Sequence, residues 1–300
     1  VATPNLDPTR PAGLLSRARR WEFLRLVVYV VGLIGALVVS KLIARPFTPP
    51  DGAPHHHEIL LISNLASAAL LLVAYGLLVR WMERRAASEL SLTRGAGLFV
   101  FGGAIGLALM GAVYLVLWSL GLVTVSPGTG MAGLGGDLAA YFGGAVLEEL
   151  LLRAVVFRLV EQIAGTTIAV VLSAALFGLL HALNPGATIV STSAIAIEAG
   201  VLLAVAYALT RNLWFVIGIH LGWNFAEGAL FGAKVSGGAA THALMRTSIS
   251  GSDLISGGGF GPEASLVSVG LLAAVSIVIG IIIVRRSGWR PIGWTPVAAG

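Results

Sequence analysis

The chain has 300 residues, 57% of them hydrophobic and only 11% charged, with a net charge of +5 and a mean hydropathy of +0.91. Soluble proteins carry roughly 25% charged residues, so this composition excludes an ordinary soluble globular fold and indicates a polytopic membrane protein. There is no cysteine, which excludes disulfides, thiolate metal sites, a cysteine nucleophile and prenylation of the chain itself. The basic residues flank apolar runs, as topology signals do. The bilayer is therefore an expected partner and nucleic acid is not.

Val1 to Arg20 is polar and holds Pro4, Pro8 and Pro11, so residues 1–22 are expected to form a cytoplasmic N-terminal segment. About eight apolar segments follow, near 23–43, 58–81, 97–121, 138–160, 165–184, 188–210, 212–232 and 265–284. Each approaches the ~20 residues a helix needs to cross a bilayer. The first is too long and unbroken for a signal-peptide core and reads as a retained span. Backbone groups in hydrocarbon must be satisfied within the segment, and these runs do not alternate as barrel strands do. The expectation is an all-α polytopic transmembrane helical bundle over 23–284, with short links between the fifth, sixth and seventh spans and a cytoplasmic, unstructured tail over 285–300.

Orientation follows from Lys and Arg. With the N-terminus inside, Arg10, Arg17, Arg19, Arg20, Arg25, Arg80, Arg84, Arg85, Arg94, Arg158, Arg211, Arg285, Arg286 and Arg290 fall on the cytoplasmic side. Only Lys41, Arg45, Lys234 and Arg246 fall outside, and Arg153 lies within a span. Both termini are expected in the cytoplasm of a multi-pass protein of a cell membrane, a bacterial plasma membrane being the expected one. Two loops stand out. Arg45–Glu58 contains Pro46, Pro49, Pro50, Pro54 and the run His55-His56-His57, which reads as a solvated loop ahead of a weak metal site. Gly232–Pro262 is rich in glycine, costs entropy to order, and reads as a mobile external loop, a lid being the alternative.

The fourth span carries Glu148, Glu149 and Arg153. Ionisable groups at the bilayer centre cost about 2.5–3.5 kcal/mol each on insertion scales, so three in one span need partners or a function. Glu149 and Arg153, four residues apart, share a helix face and can pair. Glu148 is rotated from Glu149 by about 100° and is free to point into a cavity. His181 follows in the fifth span, and His220 and Asn224 lie one turn apart in the seventh. Glu198 and Glu227 read as helix-packing residues. A lone membrane histidine is an ordinary interhelical hydrogen-bonding group and a lone Glu–Arg pair is ordinary structural glue. The joint pattern suits hydrolysis: a carboxylate in a low-dielectric cavity as general base, histidine beside it, and imidazole and amide donors for an oxyanion. A metal-bound water, zinc being the candidate, is a second possibility. A proton- or ion-coupled transporter and a non-catalytic immunity or scaffold protein are the competing readings. The transporter class commonly shows pseudo-symmetric repeats, and none is found. No His-Glu-x-x-His occurs, and no Gly-x-Ser-Gly nucleophile occurs in a span.

Glu148-Glu149-x-x-x-Arg153, then Phe177-x-x-x-His181, then His220-x-x-x-Asn224 resembles the three-motif signature of the CPBP (CAAX protease and bacteriocin-processing, or ABI) intramembrane endopeptidases. That group includes the eukaryotic type II CAAX prenyl endopeptidases. Leu213-Trp214 and Gly259-Phe260-Gly261-Pro262-Glu263 also resemble its bacterial members. The resemblance makes 138–232 the catalytic core and implies a peptide or protein substrate. By motif position, Glu148 is the water-activating base, aided by His181. His220 and Asn224 form the oxyanion hole, and Glu149 and Arg153 complete and orient the site. The group is commonly labelled metalloprotease, while a metal-free glutamate mechanism is also argued for it. If a metal is present, Glu148, His181 and His220 are the ligands implied. Helix counting sets a difficulty: at 1.5 Å per residue, His181 lies about 22 Å and His220 about 12 Å from the cytoplasmic ends of their helices.

Overall fold

The computed structural model describes residues 12–49, 53, 55–131, 133–286 and 288–291, with side chains from Trp21 onward. The expected polar segment before Ala12, the side chains of Arg17, Arg19 and Arg20, Pro50 and Pro54, and the tail past Pro291 lie outside the described residues.

The apolar segments are all helical. Helix α1 spans Ala12–Ala44, α2 His56–Glu83 and α3 Leu92–Ser119. Helix α4, Leu134–Glu149, runs on through a π-helical stretch, Leu150–Phe157, into α5, Arg158–Ala164. Helix α6 is Thr166–His181. Helix α7, Ile189–Ile195, passes through a π turn at Ala196–Gly200 into α8, Val201–Thr210. Helix α9, Leu213–Asn224, ends in a π turn at Phe225–Leu230, and α11, Leu266–Arg285, closes the bundle. Among the described residues, five helical segments are long and apolar enough to cross a membrane: Trp21–Phe47, His56–Glu83, Leu92–Ser119, Ile189–Thr210 and Leu266–Arg285; Thr166–His181 is apolar but shorter. Their outward faces expose residues such as Leu42, Val100, Leu179 and Ile277, a surface that water disfavours and lipid accepts. The protein is an all-α polytopic membrane protein.

Small residues set the tightest packing. Gly102 and Gly106 on α3 face α9, and Gly218 and Gly222 on α9 face α3. A Cβ at Gly106 would lie 2.1 Å from the Ile219 carbonyl oxygen, and one at Gly218 would lie 2.3 Å from that of Phe99. Small residues four apart on both helices let the two backbones touch, the commonest device for close helix pairing in membranes.

The two ends of the bundle differ in chemistry. At one end Arg158 makes a two-pronged contact with Glu83, at 2.6 and 2.8 Å, and Tyr29 donates to Glu83 at 2.5 Å. Arg85 binds Glu89, and Arg211 and Arg290 both reach Glu161. Glu89, in the link between α2 and α3, is buried, which by itself raises a carboxyl pKa. Hydrogen bonds from Arg85 and Tyr75 outweigh the burial and hold it below the ordinary carboxylate range. The residues after α11 also pack here rather than hanging free as expected: Trp289 donates to Thr167 at 3.0 Å, and Arg290 exchanges backbone contacts with Thr166.

The opposite end carries loops and the small sheet. Strand β1, Val123–Pro127, pairs antiparallel with β2, Met245–Ile249, in the register Val125↔Thr247. Thus the glycine-rich loop, read from sequence as mobile, is built of defined structure. It holds β2, the single turn α10 at Asp253–Ser256 and a 3-10 turn at Pro262–Ala264. Backbone hydrogen bonds to Ala229, Phe231 and Leu122 and the buried ring of Phe260 hold it down. His242 on this loop meets Asp137 at the start of α4 at 3.1 Å and packs edge-on against His57. His56 is buried against the Pro49 carbonyl, so the histidine run is not a simple solvated loop.

Candidate active site

Glu148 and Glu149 close α4, just before the π stretch that contains Arg153. Their side chains diverge. Glu149 is fully buried, and its Oε1 accepts from the Arg153 guanidinium at 3.1 Å and from His220 Nδ1 at 2.9 Å. A carboxylate only accepts, so the His220 proton sits on Nδ1 and Nε2 is left to face elsewhere. Arg153 is likewise fully buried. It donates further to the Gly200 carbonyl at 3.1 Å and lies 4.8 Å from the centre of the Phe177 ring. One ion pair thereby ties α4 to α7–α8, α6 and α9. Buried charges of this kind persist only when paired and hydrogen-bonded.

Glu148 points the other way, into a cavity of about 220 Å³ that Tyr141, His181, Asn184, His220, Asn224 and Ser236 also line. His181 ends α6. Its Nδ1 meets the Phe177 carbonyl at 2.7 Å and its ring stacks on Phe177. The carbonyl can only accept, so Nδ1 carries the proton and Nε2 presents a lone pair. That Nε2 stands 3.9 Å from Glu148 Oε2, an oxygen buried without a hydrogen-bond partner. The gap is too long for a direct hydrogen bond and is one that a single water spans.

The structure therefore brings Glu148, His181, His220 and Asn224 to one cavity and sets Glu149 and Arg153 behind it. The two histidines reach it despite their different positions along their helices: His181 is the last residue of α6, while His220 lies inside α9. Larger space exists elsewhere. A groove of about 370 Å³ between α1 and α2, lined by Ile43, Phe47, Ile59 and Ile62, is almost wholly apolar and contains none of these residues. Beside the polar cavity a small apolar recess of about 30 Å³, lined by Ile195, Leu202, Leu203, Ile219 and Leu272, shares His181, His220 and Asn224 with it.

Glu148, His181 and His220 line one cavity and are the residues that would hold a metal ion. Among the described residues no group of three His, Asp or Glu side chains is already arranged to hold one. His220 donates through Nδ1 to Glu149 and His181 through Nδ1 to the Phe177 carbonyl, so each ring keeps Nε2 for another partner, and Glu148 stands 3.9 Å from His181. Sequence reading also passed over Tyr141, Asn184 and Ser236. Tyr141 was detectable, seven residues before Glu148 and so on the same helix face. Asn184 and Ser236 lie in links outside the helices, where periodicity carries no signal.

Residues 133–226 match the family model described as Type II CAAX prenyl endopeptidase Rce1-like. No curated protein and no solved structure matches the chain. The matched stretch runs from the start of α4 through α9 into the π turn after it and contains all three motifs, on Glu148–Arg153, Phe177–His181 and His220–Asn224. Residues 133–226 are thus an Rce1-like domain of the CAAX protease (CPBP) family, a family of membrane peptidases.

Proposed function

We propose that the protein is an intramembrane endopeptidase that hydrolyses a peptide bond of a membrane-associated peptide or protein with a water activated by Glu148. The observation that carries this reading is the unpartnered Glu148 Oε2 facing His181 Nε2 across 3.9 Å in a cavity that His220 and Asn224 complete. A water between the two is deprotonated by Glu148 as its oxygen attacks the scissile carbonyl carbon, with the His181 lone pair orienting it. Asn224 Nδ2–H and protonated His220 donate to the developing oxyanion. Glu149 holds His220 by Nδ1, so that Nε2 is directed and its positive charge is balanced. Collapse of the intermediate breaks the C–N bond, and the proton on Glu148 passes to the leaving amine. The reading extends to a multi-pass protein of a cell membrane whose eight helical segments cross it, with the arginine-rich end and both termini in the cytoplasm.

The test is cleavage of candidate peptides by purified protein in detergent or vesicles. Glu148→Ala and His181→Ala are each expected to lose 10²–10⁴-fold in rate, the range for a positioned general base. Asn224→Ala is expected to lose about 10²–10³-fold, the range for one oxyanion donor. Undiminished turnover in both Glu148→Ala and His181→Ala would sink the mechanism.

A further inference from the structure

The run Gly259-Phe260-Gly261-Pro262-Glu263 takes no part in the chemistry above, yet it is among the most buried loop sequence in the protein: Phe260 is 1% and Glu263 2% exposed. Two other carboxylates, Glu198 and Glu227, are fully buried close by, on separate π turns. Among the described residues none of the three has a cationic partner within ion-pair distance. What they do hold is backbone. Glu227 Oε1 accepts from the Glu263 backbone N–H at 3.2 Å, and Glu263 Oε1 accepts from the Ser236 N–H at 2.5 Å. Glu198 is anchored apart from these, by Ser268 at 2.7 Å.

Ser236 is the point of interest. It lies in a tight turn, Val235–Gly238, closed on both sides by hydrogen bonds of 2.9 and 2.8 Å between Val235 and Gly238. Its φ is 48°, in the left-handed region that a residue with a Cβ avoids. Such a conformation persists only where surrounding contacts over-determine it. Here Glu263 takes the Ser236 N–H, Asn184 Nδ2 donates to its carbonyl at 3.0 Å, and Gly237 N–H reaches the Phe260 carbonyl at 2.7 Å. Gly237 is pressed so close to Pro185 that a Cβ there would lie 1.9 Å from its carbonyl oxygen. The turn so pinned lines the cavity that Glu148 also lines, through Val235, Ser236 and Gly238.

We propose that Glu263 is a positioning residue for the peptidase reaction: by accepting the Ser236 N–H it fixes the Val235–Gly238 turn as the wall that holds the substrate against Glu148, and Glu227 fixes Glu263 in turn. The proposal rests on the peptidase reading, but its first test does not need activity. Hydrogen–deuterium exchange of the peptide covering Val235–Gly238 reads the N–H groups concerned. Glu263→Ala is expected to speed that exchange at least tenfold. Glu263→Gln, whose amide oxygen can still accept, restores slow exchange. In turnover, Glu263→Ala raises KM at least fivefold with kcat changed much less, and Glu263→Gln rescues it, whereas Glu148→Ala lowers kcat by the 10²–10⁴-fold given above without altering exchange in the turn. A merely structural residue would lower the folded fraction and leave KM and the turn's exchange in the folded protein unchanged. Where Glu263→Ala does not fold, Glu263→Asp, whose shorter side chain draws the carboxylate back from the Ser236 N–H, decides by the same exchange measurement. Unchanged exchange in the folded variant overturns the proposal. Absence of cleavage by the wild type, with Glu263-dependent exchange intact, overturns the peptidase reading instead.

Discussion

Arg153 is the largest side chain wholly removed from solvent among the described residues, and its worth lies in what it does for Glu149. Without it Glu149 would be a buried carboxylate with only His220 beside it. Breaking one side of a buried pair costs about 3–5 kcal/mol, so Arg153→Ala is expected to lower the unfolding midpoint in detergent sharply. Arg153→Lys should recover only part of the loss, because an ammonium cannot reproduce the planar fork that meets both Glu149 and the Gly200 carbonyl. Thermal unfolding of the purified variants checks both. The Glu149–Arg153 contact was legible in sequence, since four residues on a helix bring two side chains together. That Glu149 also grips His220 was not, because seventy-one residues separate them and only helix packing decides the neighbour. The same limit hid Ser236, whose role depends on a backbone N–H rather than on a side-chain type.

At the scale of elements, the α3–α9 contact decides where His220 and Asn224 stand. The glycines were visible in the sequence, but which helix each would meet was not, because close packing leaves no mark on composition. Adding a methyl group at Gly218 overpacks the contact, which costs about 1–3 kcal/mol, and it displaces His220 and Asn224, one half-turn and more further along α9. Gly218→Ala is therefore expected to reduce both the unfolding midpoint and the cleavage rate. Gly111→Ala on α3, where a Cβ meets nothing within 4 Å, should change neither. The π stretches also escaped sequence reading. The 3.6-residue repeat was assumed throughout, whereas Arg153, Glu198 and Glu227 each sit where an extra residue is taken into the turn, and such turns cluster at functional sites.

For the whole molecule, hydropathy located the helices well, because a bilayer demands long apolar runs and no other signal is as strong. It could not place them around one another, nor foresee the strand pair and the pinned loop at one end. The charged network at the other end yields a prediction of its own. Glu89 has its carboxyl held below its unfolded value, so its contribution is complete above that value and is lost as pH falls through the lower, folded one. The unfolding midpoint of the wild type should decline on the acid side. Glu89→Gln, which is less stable at neutral pH, should show a shallower decline, measured by thermal unfolding across an acidic pH series.

The placement of the cavity has one more consequence. Its wall belongs to the end that carries the sheet, whereas the paired arginines gather at the other. In the orientation proposed above, with the arginines in the cytoplasm, the cavity wall lies toward the side of the membrane opposite the ribosome. A substrate made in the cytoplasm would then have to be exported, or threaded into the bilayer, before it could be cut.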